Sequence, residues 1–240
     1  ELGNTIVNVC RIVPDGILVF FPSYKLLSDT LEAWKSSEVW SRIERLKKPF
    51  VEPRAAGELA YMQEAYESQL LQNSSTGAIL FAVCRGKVSE GLDFSDYHGR
   101  YVIVTGIPFA PHFDPQVRLK REYMDRQSKK PGDGAVINGG EWYKQQASRA
   151  VNQAIGRVIR HSEDYGAILL CDERFGQRDM QMQLSKWLQP RLNVFGSFGE
   201  GNKALISFFK NLPLELKSKG DKIRLTEAST VGERRKKRSY

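Results

Sequence analysis

Cysteine is scarce in this 240-residue chain. Cys10, Cys84 and Cys171 are widely spaced, each sits among apolar residues, and no C-x-x-C pair occurs. That excludes a disulfide-built scaffold and favours free, buried thiols in a reducing compartment. It also excludes an iron–sulfur cluster held by this chain alone, because such a cluster takes about four cysteine ligands. No run of about 18 apolar residues is present, so no membrane span is expected. The phosphate-loop pattern G-x-x-x-x-G-K-[ST] is missing, and so is an Asp-Glu-Ala-His box. A complete triphosphate site with its Mg²⁺ carboxylates is therefore not encoded here. The dinucleotide fingerprint G-x-G-x-x-G is absent too, and no internal repeat is visible. The chain has no signal peptide and begins with Glu1 rather than Met, so it reads as a piece of a longer protein.

What is present fits one large globular domain: hydrophobic residues make up 41% and charged residues 27%. The net charge of +8 is unevenly spread. Residues 214–240 carry nine Lys or Arg against four Asp or Glu, which leaves only +3 on the preceding 213 residues. The basic balance is thus mainly a property of the tail, and is weak evidence that the globular part binds nucleic acid.

Continuous apolar runs alternate with helical patterns. Ile17–Phe21 reads as a strand buried on both faces and Ala78–Cys84 as a second buried strand; Tyr101–Thr105 and Gly166–Cys171 read as a third and a fourth strand, and Phe50-Val51 as a short one. Helices are predicted over Thr5–Ile12, Tyr24–Ser36, Glu58–Gln72, Gln116–Lys129, Glu141–Arg160 and Asn202–Lys210. This alternation predicts an α/β fold with a mostly parallel, doubly wound sheet and helices on both faces.

The stretch Gln153-Ala-Ile-Gly-Arg-Val-Ile-Arg160 organises the rest. With residues 142–160 on one helical wheel, Gln146, Arg149, Gln153, Arg157 and Arg160 fall within roughly 80°. Tyr143, Ala147, Ala150, Val151, Ala154, Ile155 and Val158 cover most of the other side. Gly156 lies at the edge of the polar stripe, where a missing side chain lets a phosphate or a neighbouring backbone approach. The arginine fork suits phosphate geometrically. An ordinary amphipathic helix with a solvated basic edge fits the pattern equally well.

These eight residues match Q-x-x-G-R-x-x-R, the sixth motif of superfamily 2 helicases. Other motifs occur in the right order. Pro22-Ser-Tyr24, between a buried strand and a helix, resembles the fourth motif; Arg85-Gly-Lys-Val-Ser-Glu-Gly-Leu-Asp-Phe94 resembles the fifth; Gly106-Ile-Pro-Phe109 resembles its extension. Asp172-Glu-Arg-Phe175 is similar to a further family segment. From about Gly3 to Leu212 the chain resembles the second motor domain of the XPD-type iron–sulfur DNA helicases.

The resemblance implies a RecA-like motor domain over residues 1–212, and the polar, basic composition of 213–240 reads as a disordered tail. It implies an ATP-dependent 5′–3′ DNA helicase of genome maintenance, acting in repair, recombination control and telomere maintenance. In it Arg160 serves as the arginine finger, with Arg157 and Gln153 assisting. Gly156, Glu90 and Asp93 belong to the nucleotide side. Ser23, Tyr24, Ser89, Gly91 and Arg174 belong to the single-stranded DNA grip. ATP and Mg²⁺ would be bound jointly with the first motor domain of the same protein, and a 4Fe–4S cluster would sit elsewhere in the parent chain. A monomeric nuclear motor is implied, with Arg234-Arg-Lys-Lys-Arg238 as an import signal or a solvated run. Two local alternatives stay open. Ser23 is a phosphate donor or a plain helix cap, and Arg174 meets nucleic acid or pairs with Asp172. A non-catalytic RecA-like interaction module is the rival reading of the whole.

Overall fold

Gly16–Phe21 (β1) and Ala78–Val83 (β3) are buried at every residue, because each strand has neighbours on both edges and helices on both faces. The computed structural model describes residues 1–240 apart from 73–75, 92, 93, 130–136, 158, 160, 162, 163, 219–221, 225 and 228–240. With Lys48–Val51 (β2), Tyr101–Val104 (β4) and Ala167–Leu170 (β5), the strands form one sheet in the order β2-β3-β1-β4-β5. All four pairings are parallel, so the fold is the predicted α/β sheet.

Strand side chains alternate between faces, and this period of two builds two cores. Leu18, Phe20, Leu80, Ala82, Val102 and Val104 face one layer, made chiefly by Leu59–Gln72 (α4) and Gly139–Ile155 (α7). Ile17, Val19, Phe21, Ile79, Phe81 and Ile103 face the other, made by Leu2–Ile12 (α1), Tyr24–Lys35 (α2), Val39–Glu44 (α3) and Phe198–Lys210 (α9). Each large side chain buried this way contributes about 1.5–3 kcal/mol. Lys87–Gly91 (α5), Pro115–Ser128 (α6) and Arg178–Met182 (α8) are further helices. Among the described residues no helix is long and apolar enough to cross a membrane.

Helix starts follow local chemistry. The Ser23 hydroxyl accepts from the Leu26 N–H, and the Asp114 carboxylate from Gln116 and Val117. Asn138 and Glu141 form a reciprocal capping box at α7.

One expectation needs correction. The helix predicted to continue to Arg160 stops at Ile155, and Gly156 is its C-cap. Glycine weakens helix by about 1 kcal/mol relative to alanine, and Arg157 closes a tighter turn onto the Ala154 carbonyl. Arg157 is therefore in a turn and off the stripe drawn by the wheel. Residues 214–218 are helical, and Ile223 packs against the α4/α7 core.

Candidate functional site

A parallel sheet points all its strand ends the same way, so the segments after its strands gather at one edge. Here these are Ser23-Tyr24 after β1, Glu52 after β2, Arg85–Gly91 after β3, Thr105–Phe109 after β4 and Asp172–Arg174 after β5. Glu52 ties three of these segments together. Its carboxylate is buried and accepts from the Val83 N–H (2.8 Å), the Val88 N–H (3.2 Å) and the Tyr24 hydroxyl (2.9 Å). Burial, reinforced by the neighbouring carboxylate, pushes the Tyr24 phenol up to about 12. A Cβ at Gly86 would lie 2.5 Å from the Glu52 Oε1, so the glycine makes room for the carboxylate. The Arg54 guanidinium sits over the Tyr24 ring, and the Arg54 carbonyl accepts from Lys87.

The next link runs from α5 to the end of α7. The Arg157 Nε donates to the Ser89 carbonyl at 2.8 Å. Arg85, in the left-handed region (φ 61°), donates from Nη2 to the Gln146 carbonyl at 2.7 Å. On its other flank α7 is pinned by Asn152, which bonds the Gln183 carbonyl and the Ser185 N–H. The fourth, fifth and sixth motifs are thus joined by one polar chain, Tyr24–Glu52–α5–Arg157.

The placements differ in kind. Gln153 and Gly156 lie beside Arg157 at the end of α7. Gly91 closes α5, and Glu90 lies within it, its side chain outside the described residues. Asp93 and Arg160 are also outside the described residues. Ser89 is fully buried and spends its hydroxyl on the Gly86 carbonyl, so it presents no donor outward in this conformation. Ser23 is exposed and caps α2. Arg174 stands apart, in a two-pronged ion pair with Asp172 (Nε–Oδ1 2.8 Å, Nη2–Oδ2 2.6 Å) and over the Phe109 ring. That pairing holds the Asp172 carboxyl below its ordinary range.

Glu52 and Arg85 carry this geometry, yet motif reading did not single them out. The available signal for Glu52 was a carboxylate directly after a strand and before Pro53. The cysteines do not fit an iron–sulfur cluster. Cys10 belongs to the α1/α2 core and Cys84 to the α4/α7 core. Burial pushes their thiols up to about 12, and that of Cys171 to about 11.

A five-stranded parallel sheet wrapped on both faces, with its loops gathered at one edge, defines a RecA-like α/β domain. A solved structure titled XPD helicase shares this fold. It matches with a TM-score of 0.54 and 22% identity, over 81% of this chain and 31% of that one. The model of the family "Helicase C-terminal domain" matches residues 6–191. The chain belongs to that family. It is 52% identical over 221 residues to the regulator of telomere elongation helicase 1 homolog of Oryza sativa subsp. japonica, covering 88% of this chain and 22% of that protein. It is 50% identical over 219 residues to the regulator of telomere elongation helicase 1 of Mus musculus, covering 89% and 18%. The chain thus spans about a fifth of the length of these relatives.

Proposed function

We propose that this chain is the second motor half of a monomeric, ATP-dependent 5′–3′ DNA helicase that works in the nucleus in genome maintenance. The names of its relatives favour telomere maintenance, and we include repair and recombination control in the same reading. The observation that carries the reading is the Arg157–Ser89 hydrogen bond, which links the sixth motif to the fifth. Such a link is what a domain needs to pass a nucleotide signal to a DNA grip.

In this reading residues 1–212 are the motor domain. Arg160 acts as arginine finger on an ATP·Mg²⁺ site completed by the first motor domain, with Arg157 and Gln153 sensing the γ-phosphate. Gly156, Glu90 and Asp93 line the nucleotide side. Such a finger is worth roughly 10³–10⁵ in rate, because it places positive charge where negative charge spreads in the transition state. Ser23, Tyr24, Gly91 and Arg174 hold single-stranded DNA, and Ser89 shapes the loop that joins them to Arg157. Arg174 would exchange its pairing with Asp172 for a phosphate. The parent protein's 4Fe–4S cluster lies outside this chain.

The test is single-strand-stimulated ATP hydrolysis by this chain alone, by the chain joined to its first motor half, and by the joined protein with Arg160→Ala. Turnover by the joined wild type alone, with nucleotide binding largely kept in the variant, is expected. If the joined variant hydrolyses ATP as fast as wild type, Arg160 is not the finger and a non-catalytic RecA-like module becomes the better account.

A further inference from the structure

The opposite, amino edge of the sheet carries a cluster that the motor reading does not use. Asp15, in the turn before β1, is 7% exposed and has a left-handed backbone (φ 58°). Its carboxylate faces the Arg100 Nε at 3.9 Å, and its carbonyl accepts from Lys47 at 2.7 Å. Arg100 is itself buried, bonded to Asp164 and laid over the Tyr165 ring. Tyr97, 1% exposed, stacks on His98 in the stretch that leads into β4.

Onto this cluster comes a segment far along the chain. Arg224 pairs with the Asp15 carboxylate, and its guanidinium lies 5.1 Å from the centre of the Tyr97 ring. The Tyr97 hydroxyl donates to the Glu227 carboxylate. Ile223 packs against the α4/α7 core. The Arg224 side chain keeps only 14% of its surface exposed. An ion pair, a cation–π contact, a hydrogen bond and an apolar contact converge from three residues close together in the chain, Ile223, Arg224 and Glu227, which a loosely tethered tail would not provide.

The receiving stretch also touches the chain that leaves α7. The Asp96 N–H donates to the Asp164 carboxylate at 3.3 Å, and the Asp96 carboxylate meets the His161 Nε2 at 3.2 Å, one residue beyond Arg160. We propose that the segment carrying Ile223, Arg224 and Glu227 is an intrachain strap. The amino edge is a built receptor for an arginine-bearing segment, and seating that segment on Asp15 and Tyr97 holds residues 94–99 and, through them, the exit from the sixth motif.

Hydrogen exchange on the full 240-residue chain tests this without nucleotide or DNA, so its outcome is independent of the proposed motor role. Arg224→Ala should speed exchange of the 95–99 amides about tenfold while β1 and β3 amides stay protected. Glu227→Gln, at an exposed position with no part in the core, should speed exchange at residues 95–99 and 222–227 about threefold. Wild-type exchange at these residues in Arg224→Ala overturns the strap. If Arg224→Ala exposes the whole sheet, Glu227→Gln decides, and unchanged exchange there overturns it equally.

Discussion

Glu52 shows how much one buried carboxylate can organise. It satisfies two backbone N–H groups and one phenol from three different segments. Glu52→Ala strands all three donors and should cost about 3–5 kcal/mol, read as a lower denaturant midpoint at unchanged slope. Glu52→Gln keeps a carbonyl acceptor and should cost less. Lys47 makes a different prediction. Burial lowers its pKa to about 8 from an ordinary 10.5. Between those values the unfolded chain holds a proton that the folded chain has released, so this group's contribution to stability rises with pH over that window. The three thiols, two buried and that of Cys171 half-buried, act oppositely above pH 9, where the unfolded chain loses protons that the folded one keeps. A comparison with Lys47→Met isolates the lysine. Wild type should gain about 2 kcal/mol on the variant between pH 8 and pH 10, measured by denaturation at each pH.

At the scale of the element, α7 matters through its two ends. Its capping box should be worth about 1 kcal/mol, so Asn138→Ala should lower the melting temperature without changing the fold. Its far end places Arg157. A Cβ at Gly156 would meet the Asn152 carbonyl at 3.1 Å, a contact the helix can absorb. Gly156→Ala should therefore leave stability nearly unchanged. Alanine favours another residue of helix, which would swing Arg157 away from the Ser89 carbonyl. In the joined motor, turnover should fall on the order of tenfold or more, as small misplacements of a catalytic group do. Unchanged turnover would mean that the Arg157–Ser89 link carries no signal.

For the whole molecule, the parallel sheet separates two jobs. Its carboxyl edge collects the helicase motifs, and its amino edge collects the buried charges around Asp15, Arg100 and Asp164. Charge is divided as well, with most of the excess on residues 214–240. Changing Arg234, Arg235, Lys236, Lys237 and Arg238 together to alanine should weaken non-specific single-strand binding. The slope of log affinity against log salt should fall by up to about 3.5, since each phosphate contact contributes about 0.7. An unchanged slope would place the binding entirely on the motor domain.

The elements were legible in the sequence because their signals are local. Apolar runs such as Ile17–Phe21 and Ala78–Val83, bounded by turn residues, demand strands buried on both faces, and Ser23 announces the helix behind it. The eight residues from Gln153 to Arg160 were enough to point to the family. Partners were not legible, because in a parallel sheet they arrive from distant crossovers. The Arg157 bond spans 68 residues, the two backbone bonds of Glu52 span 31 and 36, and the Arg224–Asp15 pair spans 209. A helical wheel carries Arg157 onto a continuous stripe, whereas the carbonyl of Ser89 and a glycine cap take it off. The sequence by itself thus determined which segments are strands and helices and which family they serve. Tertiary structure alone decided which buried polar groups face one another, since each must find its hydrogen bond inside the fold wherever the chain happens to return.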